Sequence, residues 1–245
     1  MIIWIYLLSC EKIRNKMTVK IGSYKKKIEL LRSEIREAAD KSNRDSDDIR
    51  IIAASKYADA SQMEEVIDAG IDNFGENRAE ELIKKYEIIG DRVKWHFIGH
   101  LQKRKVKQVV PIVEYIHSID KLSTLDKVNQ VALENNKIQK ILIELNISGE
   151  QSKFGMPPDE LNSFLECFMN YKNVEATGLM TMTPLTDNMD LSRDIFKKLK
   201  KILLDTNKSF INLNLKELSM GMSNDFRVAV EEGSTMVRIG SLIFL

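Results

Sequence analysis

A chain of 245 residues, 43% hydrophobic and 30% charged, has the make-up of an ordinary globular protein with one sizeable core. Its 37 basic side chains against 36 acidic ones leave a formal charge of +1, which gives no electrostatic reason for a nucleic-acid partner or an acidic membrane surface. The two cysteines, Cys10 and Cys167, make neither a metal spacing nor a disulfide framework, which argues against a secreted, stapled scaffold and for free thiols in the cytoplasm.

The first eight residues, MIIWIYLL, are apolar, and Leu7-Leu8-Ser9-Cys10 faintly resembles a lipoprotein cleavage box. No basic residue precedes the run, and eight residues are too few to span a bilayer. Residues 1–20 are therefore expected to be a non-structural extension, with Met17 offering an alternative start, and residues 21–245 to form a single barrel domain. Ile28, Leu31, Ile35 and Ala38 recur at helical spacing and predict a helix from Ile21 to Lys41. Arg50 to Lys56, RIIAASK, reads as a buried parallel strand ending on a lysine. Ser61, with Glu64 three residues on, predicts the N-cap of the next helix, which Gly70 ends.

Further strands are predicted at Ile71–Glu76, Val93–Ile98, Tyr115–Ile119, Lys140–Ile147, Val174–Met180, Glu217–Met220 and Met236–Ile239. Helices are predicted between them at Asn77–Ile89, Lys103–Val110, Lys121–Asn135, from Pro157-Pro158 to near Tyr171, Leu191–Leu204 and Asn224–Glu232. Strict alternation implies right-handed βαβ units and a parallel sheet. Eight units at this length predict a single (β/α)8 TIM barrel, with a doubly wound open sheet as the competing architecture. No helix is expected after the eighth strand, so the helix from Ile21 to Lys41 is expected to fill that gap in the outer ring.

In a barrel the strand ends meet at one mouth, and ligands bind there. Lys56 stands at the end of the first strand. It is either a surface lysine just past the strand or, held against apolar neighbours, an amine that loses hydration and becomes a nucleophile toward carbonyls. The loops after the last two strands, Gly221-Met222-Ser223-Asn224 and Gly240-Ser241, have the small residues and hydroxyls of a barrel phosphate site. Ser223-Asn224 is expected to open a helix whose positive end favours an anion. A phosphate corner opposite a lysine points to pyridoxal 5'-phosphate (PLP), bound as a Schiff base. Arg238, beside Gly240, could face the pyridine nitrogen, and an arginine cannot accept a proton there. The ring would then be a poor electron sink for carbanion chemistry.

His96 and His100 are four residues apart near Glu76, but a strand followed by a glycine turn does not give the helical spacing of a metal pair. The run Lys103, Arg104, Lys105, Lys107 lacks interleaved aromatics and reads as a solvated helix face.

The segments AASK at 53–56, FGENRAEE at 74–81, WHFIGHLQ at 95–102, HSID at 117–120, NISGEQSKFGM at 146–156, GLMTM at 178–182, LSMGMSND at 218–225 and GSTMVRIGSLIF at 233–244 together resemble the YggS/PROSC family of PLP homeostasis proteins, whose fold is that of the alanine racemase N-terminal barrel. The resemblance implies that Lys56 is the Schiff-base lysine, and that Ser223, Gly240 and Ser241 contact the phosphate. It also implies that Arg238 meets the pyridine nitrogen, and that Asn77 and Met180 lie near the ring. The chain departs from the family at Tyr57-Ala58-Asp59, where a proline is usual, at Lys103-Arg104, and at its terminal Ile-Phe-Leu. The implied role is a monomeric, non-catalytic PLP carrier that serves PLP-dependent apoenzymes. An amino-acid racemase would need a second acid/base group from another domain or subunit. The alternatives are a PLP-dependent racemase or lyase using Tyr57 or Lys153 as second base, and a cofactor-free Schiff-base aldolase.

Overall fold

A computed structural model describes residues 24–150 and 154–245. The expected extension at 1–20 and Lys153 lie outside the described residues. Helix α1 covers 24–40. The elements that follow are β1 (Arg50–Ala54), α2 (Ala60–Asp68), β2 (Asn73–Glu76), α3 (Ala79–Ile89), β3 (Lys94–Phe97), α4 (Val106–Val109), β4 (Tyr115–Ile119), α5 (Leu122–Glu134), β5 (Gln139–Glu144), α6 (Leu161–Phe168), β6 (Val174–Met180), α7 (Met189–Ser209), β7 (Glu217–Met222), α8 (Phe226–Glu231), β8 (Met236–Ile239) and α9 (Ser241–Phe244). The strands pair in sequence order, all parallel, and β8 closes on β1 with Ile52 opposite Arg238 and Ala53 opposite Ile239. The chain is a closed (β/α)8 barrel.

Alternation along the strands creates two apolar layers. Side chains such as Phe74, Trp95, Phe97 and Leu179 face the helix ring and join its buried stripes in one large core. A small second cluster of Ile52, Tyr115, Leu142, Met180 and Met236 fills the barrel's interior. At the end opposite the mouth, Arg50 donates to the Tyr115 hydroxyl and pairs with Glu217, which plugs the foot.

Helix α1 closes the outer ring as expected. The Tyr24 hydroxyl accepts from Gln62 of α2, while its ring packs 6.4 Å from that of Phe244 in α9. Glu34 pairs with Arg227, and Lys41 with Glu231, both of α8. The sequence did mislead at several boundaries. A short helix, α9, does follow β8, contrary to expectation. The N-cap of α2 is Asp59 rather than Ser61: Asp59 accepts from the Gln62 backbone while the Gln62 side chain accepts from the Asp59 N–H. Asn188 caps α7, which begins at Met189 and runs beyond Leu204 to Ser209. The basic segment is a 3-10 turn, Lys103–Lys105, leading into only four α-helical residues. Among the described residues no helix is long and apolar enough to cross a membrane.

Candidate functional site

β1 delivers Lys56 through a tight turn. The Ser55 N–H donates to the Gly75 carbonyl, which continues the sheet, and the Ala58 N–H donates back to the Ser55 carbonyl at 2.8 Å. Lys56 and Tyr57 are thereby the two central residues of the turn, and both are exposed. The Lys56 Nζ lies 4.6 Å from the centroid of the Tyr57 ring, a cation–π distance. Of the two readings the structure places Lys56 as a surface lysine just past its strand, not one held against apolar neighbours: an aromatic face shields one side and solvent the other.

The turn is anchored from beneath. Lys85 of α3, only 6% exposed, donates to the Ser55 carbonyl at 2.6 Å and to the Glu76 carboxylate. The Ser55 hydroxyl donates to the same carboxylate oxygen at 2.6 Å. A buried ion pair thus fixes the two residues that precede Lys56 and Asn77.

Lys56 shares a cavity of about 330 Å3 with Ser223, Arg238, Gly240 and Ser241, lined also by Tyr57 and Thr183-Pro184-Leu185. That volume is in the range of small-ligand sites. The Gly240 N–H donates to the Ser223 hydroxyl at 3.3 Å, joining the loops after β7 and β8. A Cβ on Gly240 would approach the Ala54 carbonyl to 3.3 Å, so this corner admits little beyond glycine without crowding β1. Ser223 does not open a helix. Helix α8 starts three residues later at Phe226, and the buried Asp225 precedes it, accepting from the Met222 N–H and the Thr183 hydroxyl. The anion-friendly features of the corner are therefore hydroxyls, glycine backbone and the first turn of α9 at Ser241, not the start of α8.

The other two expected residues lie elsewhere. Asn77 lines a separate hollow with Arg78, His100 and Lys105. Met180 is fully buried in the interior cluster.

Arg238 is 4% exposed and held at two points, donating to the Ser219 hydroxyl at 2.6 Å and to the Thr181 carbonyl at 3.0 Å. Burial pushes its guanidinium down to about 10, with Asp225 and Glu144 opposing the shift, so it stays cationic at neutral pH. Glu144, at the end of β5, is pushed up to about 7 by burial and then by Asp120, while Arg238 pulls it down.

From Ser219 a polar chain runs to the barrel's foot. Ser219 Oγ is 2.8 Å from His117 Nδ1, His117 Nε2 is 2.9 Å from His96 Nδ1, and His96 Nε2 is 3.0 Å from Asn73 Oδ1. Burial, and then Arg50, lowers His96 to about 3. Burial, and then His96, also lowers His117 well below its usual value, so both rings are neutral. His96 is thus part of the interior, not a metal ligand beside His100, whose ring stacks on Phe154 at 4.0 Å. Among the described residues no group of three or more His, Cys, Asp or Glu side chains is arranged to hold a metal ion.

Three comparisons with known proteins bear on this geometry. The family described as "Alanine racemase, N-terminal domain" matches residues 29–245. The chain is 39% identical over 211 residues to a pyridoxal phosphate homeostasis protein of Aquifex aeolicus, covering 86% of this chain and 92% of the relative. This chain belongs to the pyridoxal phosphate homeostasis protein family. A Pseudomonas aeruginosa member of the family is 34% identical, with 86% of this chain and 90% of the relative covered. Among solved structures, PipY of Synechococcus elongatus with PLP bound superimposes with a TM-score of 0.82 at 28% identity, covering 91% of this chain and all 100% of that one.

The barrel reading and the family resemblance both set Lys56, Ser223, Arg238, Gly240 and Ser241 at one mouth, and these five line the same cavity. Lys85, Ser55, Glu144 and the chain from Ser219 to Asn73 were missed as members of the site's support. Their signal in the sequence was faint: single polar residues inside apolar strands or on a helix's buried stripe.

Proposed function

We propose that this protein binds PLP, holds it as a Schiff base on Lys56, and serves PLP homeostasis as a carrier without strong catalytic activity. The observation that carries the reading is the cavity that Lys56 shares with Ser223, Gly240, Ser241 and Arg238. A lysine amine, a corner of hydroxyls and glycine backbone, and a buried guanidinium are the chemistry that an aldehyde, a phosphate and a pyridine nitrogen require. The names of the relatives and the PLP bound in PipY support the same reading.

In the proposed arrangement Ser223, Ser241 and the loop backbone around Gly240 hold the phosphate. The Lys56 amine would hold the aldehyde as a reversible Schiff base, and Arg238 would meet the ring nitrogen. Being cationic and donor-only, it keeps that nitrogen unprotonated, which weakens the electron sink on which amino-acid chemistry depends. Asn77 and Met180, which the resemblance set near the ring, do not line this cavity and are left out of the proposed contacts. The exposed rim at Lys56 and Tyr57 leaves the bond open to water and to exchange, which suits release to PLP-dependent apoenzymes by a protein working as a monomer.

The test is borohydride reduction of PLP-loaded protein followed by mass mapping. Modification is expected on Lys56, and Lys56→Ala is expected to lose it while unfolding as wild type does, since an exposed side chain contributes little to stability. No reducible PLP on the wild-type chain would sink the reading. Exchange of an amino acid's α-proton into deuterated water, lost in Lys56→Ala, would favour the racemase or lyase alternative instead.

A further inference from the structure

We infer that Ser219, His117 and His96 are positioning residues for Arg238, forming a hydrogen-bonded chain of fixed polarity that aims the guanidinium at the ring nitrogen from inside the barrel. The inference rests on the reading of Arg238 in the proposed function.

The polarity follows from the foot upward. Asp72 pairs with Lys94 and is a carboxylate, which can only accept. It accepts from Asn73 Nδ2 at 2.6 Å, so the Asn73 amide must turn its oxygen toward His96. That oxygen also only accepts, so the single proton of neutral His96 sits on Nε2, leaving Nδ1 bare. The bare Nδ1 accepts from His117 Nε2–H, which leaves His117 Nδ1 bare in turn. Ser219 must then donate its hydroxyl proton to His117, and the lone pairs of its oxygen are left to accept from Arg238. Every proton points from the mouth toward the foot. The chain begins at a cation and ends at an anion, and Asn73, His96, His117, Ser219 and Arg238 are all 5% exposed or less.

Such a chain does more than fill space. With one guanidinium nitrogen held by Ser219 and another by the Thr181 carbonyl, the plane of Arg238 is set by groups that do not touch the cofactor. Hydrogen bonds in series polarise one another, so the grip on Arg238 depends on links beyond the first.

The experiment is PLP titration of the full chain, read by absorbance, for Ser219→Ala and His117→Phe, each alone and combined with Arg238→Lys. A bond to a charged donor is worth enough that Ser219→Ala should weaken PLP binding about tenfold, and the more distant His117→Phe about threefold. In the Arg238→Lys background neither should add a further loss, because both act through the guanidinium. Nitrogen-15 spectra of the wild-type side chains should place the proton of both histidines on Nε2. Unchanged binding in Ser219→Ala would overturn the inference, as would equal penalties with and without Arg238, or a proton on His117 Nδ1. Ser219→Ala removes a single oxygen atom and settles the matter should His117→Phe fail to fold. If wild-type protein takes up no borohydride-reducible PLP, the proposed function fails. If it does and Ser219→Ala binds equally well, only this inference fails.

Discussion

The ammonium of Lys85 lies 2.6 Å from the carbonyl oxygen of Ser55, the residue before Lys56. That carbonyl also closes the turn by accepting from Ala58. A lysine from the outer helix ring therefore holds the turn on which the exposed lysine of the mouth is mounted. The same Nζ pairs with Glu76, 1% exposed, so both charges depend on each other. Lys85→Met should cost about 3–5 kcal/mol in urea unfolding, because it leaves a carboxylate buried with only a hydroxyl donor. The double variant Lys85→Met/Glu76→Met should recover most of that loss, because removing both charges also removes their desolvation. A single variant as stable as wild type would show that the pair contributes nothing to the fold.

Two kinds of buried acid–base group make stability depend on pH with opposite signs. Glu144 titrates at about 7 in the folded chain against 4.5 unfolded, so the native state binds the extra proton. Its contribution is complete below about 4.5 and is lost as pH rises through 7. His96, lowered to about 3 from 6.5, works the other way, and His117 shares its direction. Below 6.5 the unfolded chain binds protons that the folded chain refuses, so acid destabilises. Two imidazoles outweigh one carboxyl below about pH 7, and stability should climb from pH 5 to a shallow maximum near 7. Glu144→Gln should gain up to about 3 kcal/mol at pH 8, part of it offset by the anion withdrawn from Arg238, and gain little at pH 5. Equal gains at both values would mean that Glu144 is charged throughout.

What the sequence disclosed and what it hid divide along a physical line. The apolar run of Arg50–Ala54 and its seven counterparts announced a parallel sheet through local pattern, and the stripe of Ile28, Leu31, Ile35 and Ala38 announced a helix that needed a groove. The corner of Ser223, Gly240 and Ser241 was legible because barrel loops converge whatever lies between them. Contacts set by the closed sheet were not legible. Ser219 and His117 are 102 positions apart, and nothing near either residue marks them as partners. Nothing near Lys85 in the sequence marks it as buried; the rotation of α3 turns it inward. The strand's pattern left Lys56 open between apolar surroundings and the surface, and the turn after Ser55 lifts it to the rim.

The last residues of β7 offer a separate check on the phosphate corner. Gly221 has a φ of +93°, and a Cβ there would sit 2.5 Å from the Ala229 Cβ and 3.0 Å from the Phe226 Cα. Gly221→Ala therefore combines left-handed strain with overpacking against α8, and should cost about 2–5 kcal/mol. The displaced segment carries Ser223 two residues further on, so PLP binding should weaken as well. Gly233 is the control. It too has a positive φ, +108°, but an added Cβ would meet only the flexible end of Lys200, at 3.2 Å. Gly233→Ala should show the strain, about 1–2 kcal/mol, and leave PLP binding alone. Calorimetric melting and PLP titration of the pair separate the two effects. If both variants lose stability and neither loses affinity, the loop after β7 does not hold the phosphate.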